Sequence, residues 1–168
     1  MARYSLGYSS LTGSTGTADG ATIGTTFPAH LVGGSTTARI AVNEVYIGGE
    51  APSASSPVAM RLGRDSTLST TPAAGNALVA LLDVTASAQT NPPLVYGSAA
   101  TGPTRSATNG RLLALTLNAY GGISRWQARV GEEIITYGNA VNLGTLSLSP
   151  FTGSTAAITS GHMLFEQT

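Results

Sequence analysis

The chain has 168 residues, 42% hydrophobic and only 10% charged, against roughly a quarter charged in an ordinary soluble domain. Its 8 acidic residues balance 8 basic ones, all of them Arg, so the clustered basic excess of a nucleic-acid binder is missing. Cys is absent, which excludes a disulfide framework and thiolate metal ligands and favours synthesis and folding in the cytoplasm.

Length predicts a single domain over residues 1–168 with a sizeable core. Tyr4, Leu6 and Tyr8 alternate with Arg3, Ser5 and Gly7, which predicts a first strand. Residues 9–22 read as a polar loop with an Asp19-Gly20 turn, and Ile23–Phe27 as a short strand before Pro28. Residues 38–47 form a stronger strand pattern, closed by Gly48-Gly49, and a loop of turn formers follows. Val58, Met60 and Leu62 share one face of the next strand, with Arg61 on the other. Residues 64–76 read as a polar loop. The run Ala77–Leu82 suits a buried strand or a short buried helix; the strand is favoured. Leu94–Tyr96 is a brief strand, and 97–110 a loop ending in Asn109-Gly110. Residues 132–137, 143–149 and 163–165 supply the last strands, with Pro150 as a break.

Residues 111–130 carry the strongest local pattern. Two alternating segments flank Gly121-Gly122, a pair that tolerates the positive φ of a two-residue hairpin turn. The reading is a hairpin in which Leu117 faces Trp126, Leu115 faces Ala128 and Leu113 faces Val130. One face carries Leu113, Leu115, Leu117, Ala119, Trp126, Ala128 and Val130, the expected structural core of this region. The other carries Ala114, Thr116, Asn118, Arg125, Gln127 and Arg129 and is expected to be wet. Eight to ten short strands and no long amphipathic helix predict an all-β, single antiparallel β-sandwich. No apolar run is long enough to span a bilayer, and the first ten residues lack a signal-peptide core, so neither export by the general route nor a membrane partner is expected.

No constellation carries recognisable chemistry. His30 reads as a loop residue and His162 as a strand residue; neither has metal-ligand spacing. Glu132 and Glu133 are adjacent, so on a strand they would point to opposite faces and form no acid/base dyad. Glu44 and Asp83 sit among apolar neighbours, each with Arg39 or Arg61 as a candidate partner. There is no G-x-S-x-G elbow, and without Lys no phosphate loop. Neither catalytic, cofactor-binding nor metal residues are assigned, and no cofactor is expected. The sparse charge leaves two readings open: a neutral β domain from a GC-rich genome, or a surface made to lie against other protein.

Several segments together carry a resemblance. Ile123–Gly138, Leu143–Phe151 and His162–Gln167 look like the C-terminal part of a group of small virion proteins of tailed bacteriophages. Met1-Ala2-Arg3-Tyr4, the strands Arg39–Val42 and Val58–Leu62, the RW-x-A-x-x-G-E segment Arg125–Glu132, and Phe165-Glu166 extend the likeness. The resemblance implies a jelly-roll-like sandwich without catalytic residues, acting as a capsid decoration (cement) protein on the outer surface of the head. It implies the major capsid protein, or another virion protein, as partner, a homotrimer, and a location on the virion. The alternatives are a tail, neck or fibre-associated component, or a carbohydrate-binding host-attachment module using Tyr96 and Tyr120.

Overall fold

The computed structural model describes residues 2–9, 29–32, 39–50, 57–67, 78–85, 94–95, 104–137, 145–151 and 159–167. The expected strand at Ile23–Phe27, residues 10–22, 51–56, 68–76 and 97–103 of the expected loops, Ala77 and Tyr96 lie outside these residues. The described chain is all β. Its strands are β1 (Ala2–Ser9), β2 (Ala29–Val32), β3 (Arg39–Glu50), β4 (Pro57–Thr67), β5 (Leu78–Leu81) and β6 (Leu94–Val95), followed by β7 (Thr104–Arg105), β8 (Leu113–Asn118), β9 (Tyr120–Gln127), β10 (Ile134–Tyr137), β11 (Thr145–Pro150) and β12 (Thr159–Gln167).

These strands form two antiparallel sheets. The first has the order β10-β3-β12-β1-β5, with β9 following β10 along the same edge of β3. The second has the order β6-β2-β11-β4-β7, with β8 beside β7 along β4. The pairs β1·β12, β2·β11, β3·β9 and β4·β8 are the rungs of one long double-stranded ribbon. Pairing of β3 with β12 and of β4 with β11 rolls that ribbon into two sheets, which is the topology of a jelly-roll sandwich. Tyr4, Leu6, Ile40, Val42, Val45, Ile47, Met163 and Phe165 from the first sheet meet Met60, Leu62, Leu117, Leu146 and Leu148 from the second. Tyr4 stacks on Phe165, with ring centroids 5.4 Å apart.

The alternating segments fold as strands, with several boundaries moved. Of the favoured buried strand at 77–84, Leu78–Leu81 form β5, paired with β1, while residues 82–85 turn and Leu82 and Val84 are exposed. β3 continues through Gly48-Gly49 to Glu50, and β4 extends through 64–67. Thr104 and Arg105, expected in a loop, form β7 against Asp65 and Thr67. Pro150, which has no backbone N–H to donate, ends β11 opposite Met60. His30 lies in β2 between Ser147 and Leu94, and not in a loop.

The expected hairpin is the main correction. β8 and β9 do not pair with each other. β8 pairs with β4 in the second sheet, with Leu117 opposite Val58, and β9 pairs with β3 in the first, with Trp126 opposite Val45. Ala119 alone separates them and makes a corner from one sheet to the other. The Tyr120 amide is satisfied there by the Asn118 side-chain oxygen at 2.9 Å. Gly121 has the anticipated positive φ of 72°. A Cβ at Gly49 would overlap the Ala119 carbonyl, so Gly49 of β3 is the bed on which the corner rests. The expected faces hold through β8 and β9: Leu117 and Ala119 are buried, Leu113, Leu115 and Trp126 pack against the core, and Thr116, Arg125 and Gln127 are exposed. Alternation fixes which face is buried. It does not say whether two strands lie side by side or opposite one another across the core.

Val130 is the exception among the expected core residues. It is 100% exposed, because β9 stops at Gln127 and alternation ends with it. The chain turns at Arg129–Glu132, with Glu132 N donating to Arg129 O at 2.9 Å and Gly131 at φ 86°.

Candidate association surface

The outer face of the first sheet is organised around Glu44. Simple alternation from Val42 would point Glu44 into the core. The register shift opposite Leu164/Phe165 adds a residue to β3, so Val42 and Val45 both point inward and Glu44 is turned outward. The ladders then place Arg125 opposite Tyr46 on one side and His162 opposite Tyr46 on the other. Arg125 Nη2 donates to Glu44 Oε2 at 2.7 Å, and His162 Nε2 lies 3.1 Å from Oε1. The His162 ring stacks on Tyr46 at 5.3 Å. The hydrogen bond from Arg125, and then that from His162, hold the Glu44 carboxyl below its usual range against the opposing pull of burial. This network cross-links three strands through one carboxylate.

Neither candidate partner of Glu44 is used. Arg61 instead lies beside Asp65 on the second sheet, Nη2 to Oδ1 at 3.4 Å, with both side chains buried. Burial pushes the Asp65 carboxyl up and the Arg61 guanidinium down. Asp83 is exposed and accepts hydrogen bonds from the Thr85 amide (2.9 Å) and hydroxyl (2.7 Å), so it closes a turn. Glu132 is exposed, and Glu133 accepts from the Gly131 amide at 3.1 Å, which makes the two acids turn residues, not a dyad. Among the described residues no group of three or more His, Asp or Glu side chains is placed to hold a metal. The Arg125–Glu44–His162 contact was hidden from the sequence because it joins residues 81 and 118 positions apart.

Beside this network the sandwich shows an unfinished edge. β9 has β3 on one side and no strand on the other among the described residues, and the same holds for β8 beside β4. The corner at Ala119 brings these two edges together on one flank. Tyr120 (56% exposed) and Ile123 (66%) stand on β9, and Arg125, the one charged residue of β8 and β9, is tied to Glu44. A depression of about 300 Å³ adjoins the network, lined in part by Arg3, Glu44, Gln127 and Glu166 and rimmed by the exposed Leu82 and Val130. Open, nearly uncharged edges with exposed apolar side chains are templates for association.

Comparison with protein-family models, with curated proteins and with solved structures finds no match to this chain.

Proposed function

We propose that this chain is a non-enzymatic structural protein of a bacteriophage virion. In this reading it is a capsid decoration (cement) protein that binds the outer surface of the assembled head as a homotrimer and stabilises it. The observation that carries the reading is the flank formed by β8 and β9: two sheet edges, one internally neutralised charge, and the exposed Tyr120 and Ile123. Edges of this kind are normally charged, bent or covered, and cover by a second protein is the remedy that a virion component would use. The jelly roll is compatible with this reading, as it occurs in viral capsid and lectin domains, though fold alone does not carry function. Three copies at a threefold position would act together, since linked contacts can raise avidity by about 10²–10⁴ over a single one.

The test is co-sedimentation of the purified protein with isolated heads that lack it, beside isolated tails. Saturable binding to heads, lost in Ile123→Lys while the melting temperature is kept, supports the reading. Binding to tails alone would move the protein to the tail, and no binding to either would overturn the virion reading.

A further inference from the structure

The second sheet does not follow the two-layer pattern on its outer face. Thr145, Ser147 and Ser149 of β11 point away from the core, yet they are as buried as Leu146 and Leu148, which point into it. Residues 106–112 run along the neighbouring strand β4 and lie against the Arg61 guanidinium. Arg64 N donates to Asn109 O at 2.8 Å, Ser106 N to Arg64 O at 3.0 Å, and Leu112 N to Leu62 O at 2.8 Å. Beside this segment lies an open cavity of about 300 Å³ lined by Arg61, Arg105, Ser106, Thr108, Arg111 and Phe151, among others.

Three guanidiniums therefore face one small space. Arg61 is 2% exposed. Its Nη1 donates to the Gly110 carbonyl and its Nη2 to Ser147 Oγ at 3.2 Å and to Asp65. Its Nε has no hydrogen-bond acceptor among the described residues. Such a buried, unmet donor on a charged group is costly in a folded protein and calls for an explanation. Arg105 Nη2 donates to Pro150 O at 2.6 Å and to Ser149 Oγ at 3.3 Å. The Arg111 guanidinium lies 4.3 Å from the centre of the Phe151 ring, a ring fixed by the bond from Phe151 N to Ala59 O at 3.0 Å. Among the described residues, Asp65 is the carboxylate that lies beside Arg61. The mutual repulsion of the guanidiniums is felt: Arg105 and Arg111 both act to lower the Arg61 guanidinium, after burial itself.

We propose that this cavity is a binding site for a small oxyanion, a phosphate group or a compact carboxylate. Guanidiniums match such anions because their planar forks donate paired hydrogen bonds, and the Ser106 and Thr108 hydroxyls can complete the shell. The volume is at the small end of ligand sites and suits an anion of a few heavy atoms. An oxyanion would also bring acceptor oxygens to a site where the Arg61 Nε has no acceptor among the described residues. The inference concerns a different face from the β8–β9 flank and holds or fails without regard to what the protein assembles with.

The test is calorimetric titration of the isolated full chain with inorganic phosphate, citrate and acetate, and with sodium chloride at matched ionic strength. One-to-one saturable binding of phosphate or citrate, with a melting temperature that climbs with the logarithm of ligand concentration, is the expected result. Whichever of the two binds more tightly identifies the class, phosphate or polycarboxylate. Arg111→Gln, at an exposed position, should keep the fold and weaken binding about tenfold or more, since one charge-assisted contact is lost. Arg105→Gln should weaken it likewise, and Arg129→Gln, on the distant exposed turn, should not. A response to chloride equal to that to phosphate, the lack of any saturable heat, or full affinity in both Arg111→Gln and Arg105→Gln would overturn the proposal.

Discussion

Gly48 and Gly49 are neighbours in one strand, and the structure demands opposite outcomes when each is changed to Ala. At Gly49 a new Cβ would run into Ala119 O, Ala119 C and Asn118 O, all backbone atoms of the β8–β9 corner. Backbone at a one-residue corner cannot swing aside as a side chain can, so the cost belongs in the upper part of the ~1–3 kcal/mol range of overpacking. Ala also reduces the freedom of the unfolded chain, which returns about 0.4–1 kcal/mol. The net loss is about 2 kcal/mol, and at ~2–4 °C per kcal/mol for a chain of this size the melting temperature should fall by roughly 4–8 °C. At Gly48 the nearest atoms are Ser160 Oγ and Tyr46 Cε1, each at 3.9 Å, which is ordinary contact. Gly48→Ala should therefore be neutral or stabilise by up to about 1 kcal/mol. Paired thermal and urea melts measure both. Equal responses, or a Gly49→Ala chain as stable as the parent, would refute the sheet-to-sheet corner and restore Gly48-Gly49 to the strand-ending role that composition suggests.

Leu117→Asp should cost about 3–5 kcal/mol, since it trades a buried core side chain for an unpaired carboxylate; Thr116→Asp and Val130→Asp, both at exposed positions, should each cost less than about 1 kcal/mol, and urea titration of the three would expose an error in the assigned faces. The lowered Glu44 carboxyl binds its proton less readily folded than unfolded, so its contribution to stability is present above the usual glutamate range and is lost as pH falls through the lowered value. The stability difference between parent and Glu44→Gln should accordingly shrink on acidification below the usual glutamate range; a difference that stays flat with pH would show that Glu44 does not titrate with its Arg125 and His162 partners. Attachment to heads through β8 and β9 should weaken little as salt rises, because the one charge on these strands is neutralised within the chain, and loss of sedimentation at moderate salt would contradict the apolar-edge reading.

What the sequence makes legible follows from what a period of two can encode. Alternation in 113–118 and 123–127 correctly separates Leu117 and Trp126 from Thr116 and Arg125, because side-chain direction is a local property of an extended chain. The neighbour of each strand is not local. A Gly-Gly pair permits a hairpin turn and also a corner between sheets, and the choice depends on Gly49, some 70 residues earlier, leaving room for the Ala119 carbonyl. Alternation fails in the same informative way at Glu44. One added residue in β3 reverses the expected face, and no residue type announces the bulge. The cover over Arg61 is likewise invisible in sequence, where residues 106–110 read as part of an ordinary loop and Arg111-Leu112 as the start of the alternating segment. Their backbone bonds to Arg64 and Leu62 turn an outward-facing Arg into a buried one.

The sparse charge of the chain also takes on a different weight once its positions are known. Of 8 acids, Glu44, Asp65 and Glu166 are tied to Arg125, Arg61 and Arg3. One of these pairs is buried on the second sheet, and another pins the edge strand β9 to its neighbours. The Arg61–Asp65 pair is withdrawn from solvent, whereas the Arg3 and Arg125 guanidiniums stay exposed with their charge partly neutralised by Glu166 and Glu44. Repulsion and hydration by surface charge are what keep open sheet edges apart in a monomer. Here the one charged side chain of β9, Arg125, lies across the outer face of the sheet on Glu44 while staying exposed, and Tyr120 and Ile123 stand beside it on that edge strand. An edge strand whose one charge is paired within its own sheet has little electrostatic protection against association, and this physical argument supports the proposed assembly without appeal to any family likeness.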